Sequence, residues 1–210
     1  MKTKYHVEIT QNILQEYFSQ VNLEKIIRSN IQQDRIKYQF GHDYIHFDGS
    51  AFSEGFSYIE EHEAILLKSL EDSDFETAMA ALGKILHSWQ DFYSHSNYVQ
   101  LWYQKDGRLD AEEIDHNDPD IFNSAELQSG KNYGLFELFA LLPWISRIIK
   151  PFMPEDSHAK MNLDSPKSGP FFQYVYIAAR KRTKHVVDTL LEQMYYRNMK
   201  TELIQAFLGK

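Results

Sequence analysis

The sequence predicts an all-α fold built as a single domain over residues 1–210, and three observations predict it. Only 9 glycines and 6 prolines occur in 210 residues, about 7% against a typical ~12%, so there are too few turn residues for a many-stranded sandwich. Apolar residues recur three and four apart along most of the chain. No stretch shows the strict alternation of a half-buried strand. The length suits one compact domain, and no internal repeat or low-complexity tract divides it.

Residues 10–19 read as a first helix, with Thr10 as its cap and Ile13, Leu14, Tyr17 and Phe18 on one face. Asn22 opens a second helix through Leu23, Ile26, Ile27 and Ile31. The GHDYIHFDG segment from Gly41 to Gly49 breaks the pattern and reads as a loop. Ser53 opens a third helix, and Ser73 or Asp74 caps a fourth, with Glu76 strengthening the start. The fourth helix turns Met79, Leu82, Ile85, Leu86, Trp89 and Phe92 inward. Residues 105–132 read as a polar loop. Residues 134–149 read as an apolar helix kinked at Pro143. Four of the six prolines fall between 151 and 170, which marks a second long loop. A long helix from about Phe171 to Tyr196 and a short terminal one complete the order.

Composition narrows the function. With no cysteine, disulfides, thiolate zinc sites and cysteine nucleophiles are excluded. A formal net charge of -8 argues against a broad basic grip on nucleic acid, yet leaves room for a small metal site, because bound ions bring their own charge. The start of the chain has no apolar core of a signal peptide. The segment from Tyr133 to Ile149 is too short and too charged to span a membrane. The chain therefore reads as soluble, and as cytoplasmic rather than secreted.

The nine histidines cluster. In LHSWQDFYSHSNYV, His87, Asp91 and His95 are spaced i, i+4, i+8, rotated by about 40° and 80° on a helix. All three share one face, a spacing that lets imidazoles and a carboxylate converge on a metal. Buried without a metal, they need other partners for every polar atom. HDYIHFDG offers His42, Asp43, His46 and Asp48. His6 and Asp34 precede it, and His158 with Asp164 follows in the proline-rich loop. His62 and His185 sit mid-helix without a matching cluster and read as surface or core residues, and His116 in its acidic loop reads as solvated. Nitrogen and oxygen donors without thiolate suit zinc, manganese or iron.

The HSWQDFYSHSNYV block resembles the signature of Het-C-type proteins, which are similar to zinc-dependent phospholipases C and single-strand-specific zinc nucleases. The order of the other blocks fits: His6, then Asn30 to Asp34, then His46-Phe47-Asp48, then the His87 helix, then His158 and Asn162 to Asp164. The resemblance implies an all-helical fold with a metal cleft between helices and two or three zinc ions, other divalent metals being possible. It implies that Asp34, His46, His87 and Asp91 hold one ion, that Asp91 bridges towards a second near His6, and that His95 with His158 holds another. No HxxxE follows His158, so Asp164 stands in as the carboxylate. Those enzymes also use a freed N-terminal residue as a ligand. Here five residues precede His6, and an altered site there is expected.

The chemistry implied is metal-assisted hydrolysis of a phosphate ester, phospholipid or nucleic acid, with Asp34 orienting or deprotonating a metal-bound water. Trp89, Phe92, Tyr93, Tyr98, Trp102 and Tyr103 could serve a lipid or a base, although core packing accounts for at least half of them. The competing expectation is a metal-binding Het-C-like domain without catalysis. It would act in membrane or protein interaction, with FELFALLPWI as a contact surface and peripheral membrane contact. A last alternative makes His42-Asp43 the dyad of a helical phosphohydrolase, a two-residue motif that is frequent by chance.

Overall fold

The computed structural model describes residues 1–39, 41–105, 110–131, 133 and 152–210. The described elements are α1 (Thr3–Leu14), α2 (Gln20–Gln32), α3 (Ile36–Gln39), α4 (Asp43–His46), α5 (Phe52–Glu71), α6 (Phe75–His95), α7 (Tyr98–Lys105), α8 (Pro119–Phe122), α9 (His158–Met161), α10 (Phe172–Tyr196) and α11 (Thr201–Leu208), with short 3-10 turns at Asp48–Ser50, Ala111–Glu113 and Pro166–Ser168. Among the described residues there is no strand, only isolated bridges at Ser96–Ser129 and Lys131–Ser157. The all-α expectation holds. The expected kinked helix at 134–149, FELFALLPWI included, lies outside the described residues.

The centre of the fold is α6. Most of its residues are buried, including the polar Gln90, Asp91 and His95, the pattern of a helix enclosed by others. Its principal partners are α2, α5 and α10. Asp74 caps it, its carboxylate accepting from the Thr77 amide at 3.1 Å, as the sequence indicated. Ser19 rather than Asn22 caps α2. The first helix starts at Thr3 instead of residue 10. Thr10 lies fully buried within it, because its hydroxyl accepts buried amides from other helices rather than capping its own. GHDYIHFDG is not all loop: Asp43–His46 closes one helical turn before the chain reverses.

The two long connections are tied to the C-terminal end of α6. The Ser50 amide donates to Ser129 Oγ at 2.7 Å and the Ser129 amide to Ser50 Oγ at 3.1 Å. The Gly130 amide donates to the His95 carbonyl at 3.2 Å, and the Leu163 amide to the Ser94 carbonyl at 2.7 Å. These bonds bring the 46–50 turn and the 158–164 segment to the polar end of α6. Phe92, Tyr93, Tyr98 and Trp102 are buried in the core, with Trp89 and Tyr103 packed against it. His116 is half-buried rather than solvated, with its Nε2 enclosed. No described helix is long and apolar enough to cross a membrane.

Candidate metal centre

Asp91 is the hub of the site. It is 1% exposed, and its two oxygens face different neighbours. Oδ2 lies 2.8 Å from His46 Nδ1 and 3.0 Å from His87 Nε2. Oδ1 accepts from the Met1 ammonium and lies 3.2 Å from His6 Nε2. Helical spacing puts His87 and Asp91 on one face, and α1, α4 and α6 meet around it.

A shell of amides fixes the rings. His6 Nδ1 meets Gln90 Oε1 at 2.7 Å. The same oxygen accepts from Asn30 Nδ2 at 3.1 Å, while Gln90 Nε2 reaches Thr10 and Thr183 hydroxyls at 3.2 and 3.1 Å. That network makes Gln90 Oε1 the acceptor, so His6 Nδ1 carries the hydrogen. Asn30 Oδ1 faces His87 Nδ1 at 3.4 Å in the same way. Each ring thereby turns its Nε2 towards the Asp91 carboxylate. His6 and His87 also stack, with centroids 4.4 Å apart.

Charge in the cluster is concentrated. Burial alone would raise the Asp91 carboxyl, but the Met1 ammonium and the His95, His87 and His6 rings outweigh it and hold it well below the carboxylate range. Burial would lower the Met1 ammonium, yet Asp91 and Asp164 raise it to about 11. Burial pushes His87 down to about 4. For His95, burial and the Met1 ammonium act downward, and the carboxylates of Asp91, Asp48 and Asp164 carry it up to about 10.

Two groups of ligand-type atoms emerge, each with its atoms within 4.8 Å of one another: His6, Asp34, His87 and Asp91; and Asp48, His95 and His158. All eight residues singled out in the sequence fall in this region, but the grouping differs from the expected one. His6 joins Asp34 and His87 instead of forming a separate site. His46 sits against Asp91 without belonging to that set. Asp164 lies 3.3 Å from His95 Nε2. Its side chain is 31% exposed, yet Oδ1 itself is enclosed, 3.1 Å from the Met1 ammonium. Asp34 Oδ2 accepts from Thr3 Oγ1 at 2.7 Å. Asp48 Oδ1, 3.1 Å from His95 Nδ1 and 3.6 Å from His158 Nε2, supplies the carboxylate of the second group. Sequence reasoning placed Asp48 in the HDYIHFDG cluster but gave it no ligand role. It missed Gln90, although Gln90 shares the His87 face at i+3. His42 lies apart, lining a surface cleft of about 750 Å³ with Tyr38 and Tyr44, so the His42-Asp43 dyad is not part of the cluster.

Divalent cations fit this donor set. His46 Nε2 is buried without a hydrogen-bond partner, and such an atom calls for one; His6 Nε2, Asp48 Oδ1 and Asp164 Oδ1 are met by ion-pair neighbours alone. Tetrahedral zinc–ligand bonds of about 2.0–2.2 Å place ligand atoms about 3.3–3.6 Å apart, so closing a separation of 4.8 Å needs a contraction of about 1.2–1.5 Å.

Comparison with known proteins assigns the family. The model of the VWA7 N-terminal domain matches residues 3–128. Von Willebrand factor A domain-containing protein 7 of Rattus norvegicus is 33% identical over 79 residues, covering 38% of this chain and 9% of the relative. The chain thus spans about a tenth of that relative's length. No solved structure matches. These matches overturn the resemblance to Het-C-type proteins, zinc-dependent phospholipases C and zinc nucleases. They give no sign of a phosphoric ester hydrolase, so the phosphodiesterase expectation falls, and with it the catalytic role of Asp34 and the phosphate-ester substrate. The Het-C-like interaction domain falls for the same reason. The misleading signal has a physical source: His and Asp at i, i+4, i+8 mark one buried polar helix face, and helical periodicity produces that face in unrelated chains. The chain belongs to the VWA7 N-terminal domain family.

Proposed function

We propose that this domain is a divalent-cation-binding unit, with zinc as its first candidate ion. Asp91 would be shared at its centre, His6, Asp34 and His87 would hold one ion, and Asp48, His95 and His158 another. His46 and Asp164 would complete the shells. The observation that carries this reading is the orientation of the His6 and His87 rings. Their Nδ1 atoms are taken up by Gln90 and Asn30, and their Nε2 atoms converge on one carboxylate. Imidazole nitrogens and a carboxylate that converge from three helices form a donor set able to hold a cation. Imidazoles oriented by an outer amide are the usual arrangement of metal ligands. When bound, the ions would supply positive charge and cross-link α1, α4 and α6.

Cobalt titration followed by visible absorption tests the reading. The expected result is saturable absorption in wild type, loss of the first component in His87→Ala, loss of the second in His95→Ala, and loss of both in Asp91→Ala. A wild-type protein without cobalt absorption, or three variants indistinguishable from it, would overturn the proposal.

A further inference from the structure

Phe47 stands between His46 and Asp48 and belongs to neither group. It has a left-handed backbone, φ 57° and ψ 26°, which a bulky residue adopts only where its surroundings hold it. Its ring is fully buried, with centroids 5.2 Å from Phe56 and Phe92 and 6.4 Å from Trp89. The floor of this socket is Gly55 on α5. A Cβ there would lie 2.5 Å from Phe47 Cε1, 2.8 Å from Cδ1 and 2.9 Å from Cζ, so the ring rests directly on backbone.

On either side, the chain delivers one atom set to each group. His46 Nδ1 lies 2.8 Å from Asp91 Oδ2. The His46 carbonyl accepts from His95 Nδ1 at 3.0 Å, and Asp48 Oδ1 lies 3.1 Å from the same nitrogen. The positive φ turns the chain so that the residues before and after Phe47 face the cluster while the ring faces the core. Any movement of the ring therefore shifts contacts in both groups together.

We propose that Phe47, seated on Gly55, is the positioning residue that sets the spacing of the two groups and couples their ion affinities. This rests on the cation-binding reading above. Phe47→Leu and Gly55→Ala should each weaken cobalt binding at both groups by about 10–100-fold, the usual effect of disturbing the outer shell of a metal site. The double variant should recover part of the loss, because leucine lacks Cε1 and Cζ, two of the three ring atoms that an alanine at 55 would meet, and its smaller side chain can turn Cδ1 away. Phe207→Leu is the control: its ring is equally buried, against Phe18 at 5.2 Å, and its affinity should match wild type. Wild-type affinity in both single variants, an effect on one group alone, absence of recovery in the double variant, or an equal loss in the control would each overturn the proposal.

Failure of the cation-binding reading shows separately, as a wild-type protein that takes up no cobalt. Phe47 is then judged in the metal-free protein by ring ¹⁵N shifts of His46 and His95. Shifts that change in both single variants and return in the double variant support the positioning role, and unchanged shifts overturn it.

Discussion

Gly83 lies where α2 crosses α6, and Gly83→Ala sets two effects against each other. Replacing a mid-helix glycine by alanine stabilises a helix by about 1 kcal/mol. A Cβ at 83 would, however, lie 2.5 Å from the Ile26 carbonyl oxygen, 2.7 Å from Ser29 Cβ and 2.9 Å from the Asn30 amide nitrogen. An ordinary contact begins near 3.4 Å, so α2 would have to retreat by about 0.9 Å. Two of the three atoms are backbone and cannot rotate away. Overpacking of this kind costs about 1–3 kcal/mol, and the upper end applies here. The expected net loss is about 2 kcal/mol, a fall in Tm of about 4–8 °C for a chain of this size. Because Asn30 fixes the His87 ring, cobalt affinity should fall as well. Thermal unfolding followed by circular dichroism reads the first effect. A Tm equal to or above wild type would refute the close crossing, since helix propensity alone predicts a rise.

Other perturbations have equally definite signs. Arg182 is buried over Trp89 at 3.9 Å and donates to Tyr93 Oη at 3.1 Å, the His116 carbonyl at 3.2 Å and Asn117 Oδ1 at 2.8 Å. Arg182→Met should destabilise by about 2–3 kcal/mol in urea unfolding, and a change within ~0.5 kcal/mol would contradict that role. Burial, then Arg182 and His185, lowers His116 to about 4, below an unfolded value of about 6.5. The unfolded chain therefore binds more protons between these values, so this contribution to stability is complete above about pH 6.5 and fades as pH falls towards 4. His116→Gln should flatten the pH dependence of urea unfolding in that window, and an unchanged slope would count against it.

The fold was legible because α2, α5, α6 and α10 carry long apolar faces at helical spacing, and periodicity is a strong signal there. The start of α1 was not, since Lys2 gives no side-chain cap and Thr10, a capping residue type, is consumed by a buried network instead. The cluster was legible in α6, where one helix places His87, Asp91 and His95 in register. Its partition into two groups was not, because it depends on the αL turn at Phe47 and on the contacts that tie residues 46–50 and 158–164 to the end of α6. Asp48 reads locally as a turn former beside Gly49, and only those long-range contacts bring it to His95. Family membership was hidden for a different reason: the most conspicuous motif reports a buried polar helix face rather than ancestry.

The cation-binding claim is tested most directly by elemental mass spectrometry of the purified protein, wild type and Asp91→Ala, after exposure to zinc and removal of excess. The account predicts about two ions per chain in wild type, one for each His/Asp group, and a marked loss in Asp91→Ala. A folded wild-type protein that retains no metal would contradict it.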